Sequence, residues 1–457
     1  MGSKGLKAIV TKGVERRIGI ARPEAFQDLV RYYRRLEPIP VSVSIYRYST
    51  DSVPSLAHRM KRDPCYGCLG CFRRVYEAEN GQRGKYTCHA AMFYQPWAIQ
   101  HYGKWNEVPF YAARLVDNYG LDSMPIDLTI HWLHRCYEAG LLSDRSTGIP
   151  ISRIGSLEFI ETLVRMISRR EGFGDVLAMG LDKAADHVGS EAKDQIQESG
   201  YLSSAEFQEF YDPRLYVTNA FFYAMEPRRP IQHLHEVGGP MCKWESWAKR
   251  TEGALETSDV VRKIAARFWG SEQAADFSTY EGKALAAKRI QDRQYAKECL
   301  ILCDYLWPII DIANSDDHVG DPSLESKILS AVTGNDVDED ELYTIGERVF
   351  NLQRSILVRE GHCGRESDNL PDHFFSRPLK YDRTNPDCLV PGKDGEVVSR
   401  KGAVIDRWEF EKMKDEYYEL RGWDVATGLQ RRTTLDALEL GDVAQVLERT
   451  ELIAPSN

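Results

Sequence analysis

The sequence has no long uninterrupted apolar segment and no excess of basic residues. Its richest apolar stretch, residues 299–313, is interrupted by Asp304 and Asp311, whereas a membrane helix needs about 20 apolar residues in a row. The 59 basic and 69 acidic residues give a net charge of −10, opposite to the basic surface of a nucleic-acid binder. No apolar segment of signal-peptide length follows Met1. We therefore expect no membrane span, no nucleic-acid partner and a cytoplasmic location.

The composition is that of an ordinary globular protein. Hydrophobic residues make up 42% and charged residues 28% of the 457 positions, which excludes a disordered chain, a collagen and a small disulfide scaffold. A chain of this length predicts two or three domains and is long enough to bury a large core.

Three of the ten cysteines are clustered. Cys65, Cys68 and Cys71 form a C-x2-C-x2-C run, while the other seven are scattered. In a reducing compartment, clustered thiols indicate metal ligands rather than disulfides. Two-residue spacers suit an iron–sulfur cluster whose fourth ligand comes from a distant part of the chain. A structural zinc site and buried unligated thiols are the alternatives.

Apolar periodicity predicts a mainly α-helical chain. One short strand, residues 5–11, opens the sequence. The predicted helices are 24–36, two within 105–142 that meet at residues 117–122, 154–167, 175–187, 258–268, 279–303, 323–332, 338–359, 408–421 and 436–448. Periodicity does not assign residues 195–247, and residues 378–402, rich in Pro, Gly, Asp and Lys, are predicted to be a linker or surface loop.

A series of motifs in a fixed order resembles one known family, the tungsten-pterin aldehyde ferredoxin oxidoreductases. The motifs are Met1-Gly-Ser-Lys-Gly-Leu-Lys-Ala-Ile9, Arg169-Arg-Glu-Gly-Phe-Gly-Asp-Val-Leu-Ala-Met-Gly180, Tyr211-Asp-Pro-Arg214, Phe277-Ser-Thr-Tyr-Glu-Gly-Lys283, Ala331-Val-Thr-Gly334, Ile345-Gly-Glu-Arg348 and Tyr417-Tyr-Glu-Leu-Arg-Gly-Trp-Asp424. The resemblance extends over nearly the whole chain and corresponds to the second and third domains of the family. It implies a helical domain at 21–215, another at 216–457, and a remnant of the first domain at 1–20.

The resemblance also implies cofactors and an activity. Family members bind tungsten through two pterins, carry a nearby [4Fe–4S] cluster, and oxidise an aldehyde to a carboxylate with electrons passed to ferredoxin. Molybdenum is the alternative metal. The first domain, which lies under the pterins, is absent from this sequence, so we expect a separately encoded pterin domain or another partner subunit, an oligomer, and little activity from this chain alone.

The family pattern assigns the fourth cluster ligand to Cys303. A D-x-x-G-L-C motif provides that cysteine in the family, and it matches Glu298-Cys-Leu-Ile-Leu-Cys303. Cys299 is the competitor, because two residues four apart on a helix share one face. The cluster ligands implied are Cys65, Cys68, Cys71 and Cys303.

Two matching motifs are implied to contact the pterins. Asp117-Asn-Tyr-Gly-Leu121-Asp122 retains the family pattern, whereas Glu298 and Ile301 replace Asp and Gly in the second motif, which also contains Leu302. Carboxylates at such turns accept hydrogen bonds from pterin N–H groups. Helix capping is the alternative role for an Asp at a helix boundary.

The resemblance implies a proton-transfer residue near the metal. The family histidine corresponds to His233, and the basic pterin-contacting residue two positions later corresponds to His235. Imidazole titrates near neutrality and suits the release of protons in aldehyde oxidation. At the position of a family glutamate this chain has Cys88 and His89. In one interpretation Cys88 is a ligand of the metal and His89 relays a proton. In the other, Cys88 is a buried free thiol beside an ordinary histidine.

Two other functions stay open at this stage. The cysteine spacing, the second pterin motif and Cys88-His89 all depart from the aldehyde-oxidising enzymes. A benzoyl-CoA reductase catalytic subunit uses the same scaffold and cofactors on an aromatic thioester, and an electron-transfer subunit would carry the iron–sulfur cluster alone.

Overall fold

The computed structural model confirms the predicted fold class, a mainly α-helical chain. It describes residues 10, 19–39, 59–63, 74–86, 93–197, 211–228, 230–303, 307, 309–382 and 384–455. The predicted N-terminal strand lies outside the described residues apart from Val10. Within these ranges no helix is both long and apolar enough to cross a membrane.

The first half contains a small sheet followed by helices. The sheet is antiparallel with the order β1-β2-β3. The elements are α1 (Pro23–Tyr33), β1 (Met60–Arg62), β2 (Arg74–Glu77), β3 (Arg83–Lys85), α2 (Gln95–Tyr102), α3 (Val108–Asn118), α4 (Ser123–Glu138), α5 (Asp144–Thr147), α6 (Leu157–Arg169), α7 (Phe173–Leu177), α8 (Leu181–Val188) and α9 (Ser190–Gln197).

The second half is helical with one β-hairpin. Its elements are α10 (Asn219–Met225), α11 (Ile231–Ala248), α12 (Ser258–Ile264) with a π-helical turn at Ala265–Trp269, α13 (Lys283–Cys299), α14 (Ser323–Thr333), α15 (Glu339–Arg359), α16 (His373–Ser376), β4 (Leu389–Pro391), β5 (Val397–Ser399), α17 (Arg407–Arg421), α18 (Arg432–Ala437) and α19 (Gly441–Arg449). Helix α13 packs against α10, α11, α15 and α17 and occupies the centre.

Each half buries its own large hydrophobic core. One core joins side chains between Tyr76 and Ile196, with Trp132 completely buried. The other joins side chains between Tyr211 and Trp423. The N-terminal helix α1 packs on α14 of the second half, and the Ile39 amide donates to the Asp311 carbonyl at 2.8 Å. The domain boundaries remain a prediction.

Two sequence-based expectations about local structure are wrong, and one segment that periodicity left unassigned contains a helix. The helix predicted for 279–303 ends at Cys299, so Cys303 lies beyond the helix and does not share a helix face with Cys299. The segment 195–247 contains the long helix α11, whose Gly238-Gly-Pro240 interrupts the apolar periodicity. Residues 378–402 are not a linker, because they contain the β4–β5 hairpin and several fully or nearly fully buried side chains, namely Asp382, Thr384, Asn385 and Cys388.

Candidate functional site

Strands β1 and β2 flank the cysteine triplet in sequence. The last pair of their ladder joins Arg62 to Arg74, so residues 63–73, which include Cys65, Cys68 and Cys71, connect two neighbouring antiparallel strands. Strand β3 pairs with β2 and ends at Lys85, shortly before Cys88 and His89. These five candidate residues lie outside the described part of the chain, and their assignments remain predictions.

A half-buried carboxylate anchors this sheet to α3. Glu107 accepts hydrogen bonds from the Tyr76 hydroxyl at 2.6 Å, the Tyr111 hydroxyl at 2.9 Å and Arg59 at 3.2 Å. These donors lower the pKa of Glu107 although burial acts in the opposite direction. The anchor therefore fixes the sheet beside the helix that leads to Asp117.

The first pterin motif forms a helix-ending turn. Helix α3 ends at Asn118, Gly120 takes a left-handed φ of 71°, and the Leu121 amide donates to the Val116 carbonyl at 3.0 Å. The bond between residues five apart is that of a Schellman turn. The exposed Asp122 then caps α4 by accepting from the Met124 amide at 2.9 Å. Asp117 is also exposed.

The second motif has the same turn at the end of α13. Ile301 takes a left-handed φ of 57°, and the Leu302 amide donates to the Lys297 carbonyl at 3.0 Å. Glu298 forms an ion pair with Arg228 at 2.8 Å. The thiols of Cys299 and Cys303 are both free and exposed, so this part of the structure does not choose between them.

His233 is buried near the start of α11. Its Nε2 lies 3.7 Å from Oε1 of Glu226, and its ring is 5.3 Å from the Phe222 ring and 5.8 Å from the Tyr295 ring. Only 5% of the residue is exposed. The position suits an imidazole that exchanges a proton in a site closed to bulk water.

The Tyr211-Asp-Pro-Arg214 motif supports α11. The Tyr211 ring fits against Gly238, where a Cβ atom would lie 2.2 Å from the ring carbons. The same ring meets the His235 ring edge to face at 6.0 Å. Asp212 and Arg214 form an ion pair at 2.6 Å. The motif thus fixes the helix that carries His233 and His235.

Sequence analysis missed the polar residues that surround His233. Glu226 accepts from Gln291 at 2.8 Å and from the Tyr295 hydroxyl at 2.6 Å. Both partners lie on α13, most of whose residues between Lys283 and Lys297 are buried although many are polar. A polar helix is read from sequence as exposed, so periodicity gave no signal for them.

The described candidates carry donor groups that fit the implied cofactors. A thiolate such as that of Cys303 is a donor that suits iron, and exposed carboxylates such as those of Asp117 and Asp122 can accept hydrogen bonds from N–H groups of a pterin. Among the described residues no group of three or more His, Cys, Asp or Glu side chains is arranged to hold a metal ion. The described residues alone therefore do not form a complete metal site.

The mainly helical fold is that of a known class of structures. Among solved structures, the chain is similar to the active-site complex BamBC of benzoyl coenzyme A reductase with 1,5-dienoyl-CoA, with a TM-score of 0.63 and 17% identity over 100% of this chain and 71% of that one. Residues 45–440 match the family described as aldehyde ferredoxin oxidoreductase, domains 2 and 3. The chain belongs to this family of oxidoreductases, which confirms the resemblance seen in the sequence.

Curated relatives agree with that assignment. The tungsten-containing aldehyde ferredoxin oxidoreductase of Pyrococcus horikoshii is 24% identical over 93% of this chain and 65% of that protein. The aliphatic sulfonate oxidoreductase, WOR-like subunit, of Pyrococcus furiosus is 23% identical over 98% of this chain and 66% of that protein. The chain thus spans about two thirds of the length of these relatives.

Proposed function

We propose that this chain is the cluster-binding part of a tungsten-pterin oxidoreductase that oxidises an aldehyde to a carboxylate and passes the electrons to ferredoxin. One observation carries the proposal. The match to domains 2 and 3 of the family spans residues 45–440 and therefore includes every candidate site residue.

Each candidate residue has a defined task in this proposal. When bound, the metal-pterin group accepts the electron pair of the oxidation and the [4Fe–4S] cluster passes electrons on singly. Thiolates hold the cluster, carboxylates and His235 orient the pterins, and His233 takes up a proton. The cluster ligands are Cys65, Cys68, Cys71 and Cys303, the pterin-contacting positions are Asp117, Leu121, Asp122, His235, Glu298 and Leu302, and Cys88 and His89 lie near the metal.

The environment of His233 supports its proposed role. Oxidation of an aldehyde with water to the carboxylic acid releases two protons and two electrons, and ionisation of the acid to the carboxylate releases a third proton, so a base is needed beside the reacting carbon. His233 is buried among Phe222, Tyr295 and Glu226, which keeps bulk water from the ring and places a carboxylate beside the imidazolium that forms.

The proposed protein works with partners. The two relatives described as a subunit of an oxidoreductase and as the BamBC complex belong to assemblies. We propose a pterin-domain partner, an oligomeric assembly, and a ferredoxin or iron–sulfur subunit as electron acceptor. The cysteine pattern fits a reducing, cytoplasmic compartment.

Metal analysis of anaerobically purified protein tests the proposal. The chain is expressed alone and together with a first domain of the family, and iron, sulfide, tungsten and molybdenum are measured. We expect about four irons per chain, with tungsten or molybdenum bound only in the presence of the first domain, and aldehyde-dependent reduction of ferredoxin by that preparation.

Matched cysteine variants sharpen the test. Cys303→Ser should lose the iron, whereas Cys299→Ser, at an equally exposed thiol, should retain it. Iron without tungsten or molybdenum in either preparation would indicate an electron-transfer subunit. Reduction of an aryl-CoA without aldehyde oxidation would indicate a catalytic subunit like that of benzoyl-CoA reductase. Protein without iron would contradict the assignment of the cysteines as cluster ligands.

A further inference from the structure

A buried glutamate with a fixed set of hydrogen bonds lies beside His233. Glu226 is 5% exposed, and it lies between α10 and α11. Its Oε1 accepts from Nε2 of Gln291 at 2.8 Å, and its Oε2 accepts from the Tyr295 hydroxyl at 2.6 Å and from Gln353 at 3.3 Å. Both carboxylate oxygens therefore have partners in α13.

The neighbours of these partners fix the direction of the hydrogen bonds. The carbonyl oxygen of Gln291 accepts from the hydroxyl of Tyr417 and from Arg421 at 3.1 Å, so its NH₂ group must face Glu226. The amide of Gln353 donates to the Tyr295 oxygen, so the hydroxyl proton of Tyr295 is directed to Glu226. Burial, followed by Glu226 itself, raises the pKa of Tyr295, which keeps that proton in place. Glu226 is thus held as a proton acceptor, which is the carboxylate form.

The charge of Glu226 needs a nearby cation. Behind Gln291, Arg421 is engaged by Asp292, and Arg228 pairs with Glu298. The remaining base that faces Glu226 in the described structure is His233, with 3.7 Å between Nε2 and Oε1. A buried carboxylate at this distance favours the protonated form of an imidazole.

We propose that Glu226 is a positioning residue for His233. Glu226 orients the His233 ring and stabilises its protonated form, so that the pair stores a proton inside the second half of the chain. The pairing stands on the geometry, whereas its use in catalysis rests on the proposed function. Aldehyde and water give a carboxylic acid, two protons and two electrons. A bound metal-pterin group and cluster would supply the acceptors for the two electrons. Of the two protons, one binds a nitrogen of His233 and the other reaches solvent, while Glu226 stays a carboxylate.

Titration of His233 tests the pair without a loaded active site. The full chain is labelled with carbon-13 in its histidine rings, and the His233 signal is assigned from its absence in His233→Gln. In Glu226→Gln the midpoint of the His233 titration should move to lower pH, because the neutral amide no longer stabilises the imidazolium. Glu226→Asp, which retains the charge, should restore at least part of the shift.

A second variant moves the midpoint in the opposite direction. Tyr295→Phe removes a donor to Glu226, so the carboxylate charge is less stabilised internally and the midpoint of His233 should rise. Tyr343→Phe is the control, because the buried Tyr343 hydroxyl has no hydrogen-bond partner in the described part of the chain. Glu325→Gln, at a buried glutamate that pairs with Arg293, should leave the midpoint unchanged.

The outcomes separate this inference from the proposed function. An unchanged His233 midpoint in both Glu226→Gln and Tyr295→Phe overturns the inference, even if the assembled enzyme oxidises aldehydes. Shifts in the expected directions in a protein without aldehyde oxidation support the pair and contradict the function. In an active enzyme, the acidic limb of the kcat/KM profile should follow the same shifts, since a protonated His233 cannot accept a proton.

Discussion

The turns at residues 117–122 and 298–303 have the same backbone hydrogen bonds but different residues at the left-handed position. In the first turn that position is Gly120 with a φ of 71°, and in the second it is Ile301 with a φ of 57°. Glycine adopts this conformation without strain, whereas a β-branched residue does so at a cost of about 1–2 kcal/mol. Since Ile301 is 90% exposed, its side chain gains little from packing in return.

The helix that precedes each turn explains how the second one tolerates this strain. Helix α3 buries apolar side chains such as Phe110 and Val116. Helix α13 is held by buried ion pairs, in which Arg293 joins Glu236 of α11 to Glu325 of α14 at 2.7 and 2.9 Å. The comparison teaches that a firmly held helix end can impose a backbone conformation on an unfavourable residue.

The largest expected effect comes from removing the central ion pair of α13. Arg293→Met leaves Glu236 and Glu325 buried without their cation and should lower the free energy of unfolding of the second half by about 3–5 kcal/mol. Arg289→Met, at a half-exposed position of the same helix that contacts Asp340 at 3.5 Å and lies over the Tyr343 ring at 5.8 Å, should lower it by no more than about 1 kcal/mol. Denaturant unfolding followed through tryptophan fluorescence measures both, and equal effects would contradict the bracing of α13.

The buried Glu256, near the ion pair of Lys243 and Asp311, should make stability depend on pH. Glu256 is completely buried, and neither of its oxygens has a hydrogen-bond partner within the described residues. Burial, followed by the charge of Asp311, raises the pKa of Glu256 well above 4.5, although Lys243 opposes this. In the unfolded chain Glu256 loses its proton near its ordinary pKa of 4.5, whereas in the folded state it keeps the proton to a higher pH. The free energy of unfolding should therefore fall as the pH rises from 4.5 to the raised pKa of the folded state.

The variant Glu256→Gln replaces the titrating carboxyl by a neutral amide and should reduce the loss of stability with rising pH. Its thermal midpoint should match that of the unmodified chain near pH 5 and exceed it at pH 8. A smaller slope from Asp311, whose pKa burial raises to about 6, should persist. Glu252→Gln, at an exposed position of the same loop, serves as the control. If the thermal midpoints of Glu256→Gln and of the unmodified chain changed with pH in parallel, Glu256 would be ionised in the folded state.

Much of the fold could be predicted from the sequence, because most helices have clear apolar periodicity and recognisable ends. Helix α15 was predicted to within one residue, and Asp338 and Glu341 form its capping box. The failures have physical causes. Pro240 lies inside α11, which periodicity left unassigned. Helix α13 was predicted, but it ends at Cys299 and not at residue 303. Its buried polar side chains pair with polar residues of other helices, and periodicity does not reveal such contacts.

The candidate site was predictable only where a local motif encodes it. The turn at 117–122 follows from Gly120 between two aspartates, whereas no local signal places Tyr295 of α13 against Glu226. The left-handed conformation at Ile301 could not be read from its residue type, because the hydrogen bonds that end α13 determine it. Long-range contacts between polar residues have no sequence period.

The two aspartates of the first turn should differ in their effect on stability. Asp122→Ala removes the acceptor for the Met124 amide and should cost about 1 kcal/mol. Asp117→Ala, in the last turn of α3, removes a negative charge from the negative end of the helix dipole and should be neutral or slightly stabilising. Thermal unfolding compares the two, and an equal loss in both variants would show that the capping bond contributes nothing measurable.

The smallest effect should come from exchanging residues at the left-handed positions. Ile301→Gly relieves the strain but loosens the unfolded chain, so we expect a net stabilisation of about 0.5 kcal/mol. Gly120→Ala introduces the strain where there is open space for a Cβ and should cost about 1 kcal/mol. Effects of opposite sign at two turns with the same hydrogen bonds would show that the backbone conformation, and not the packing of either side chain, sets the difference. Destabilisation by Ile301→Gly would instead mean that the isoleucine side chain makes stabilising contacts at the end of α13.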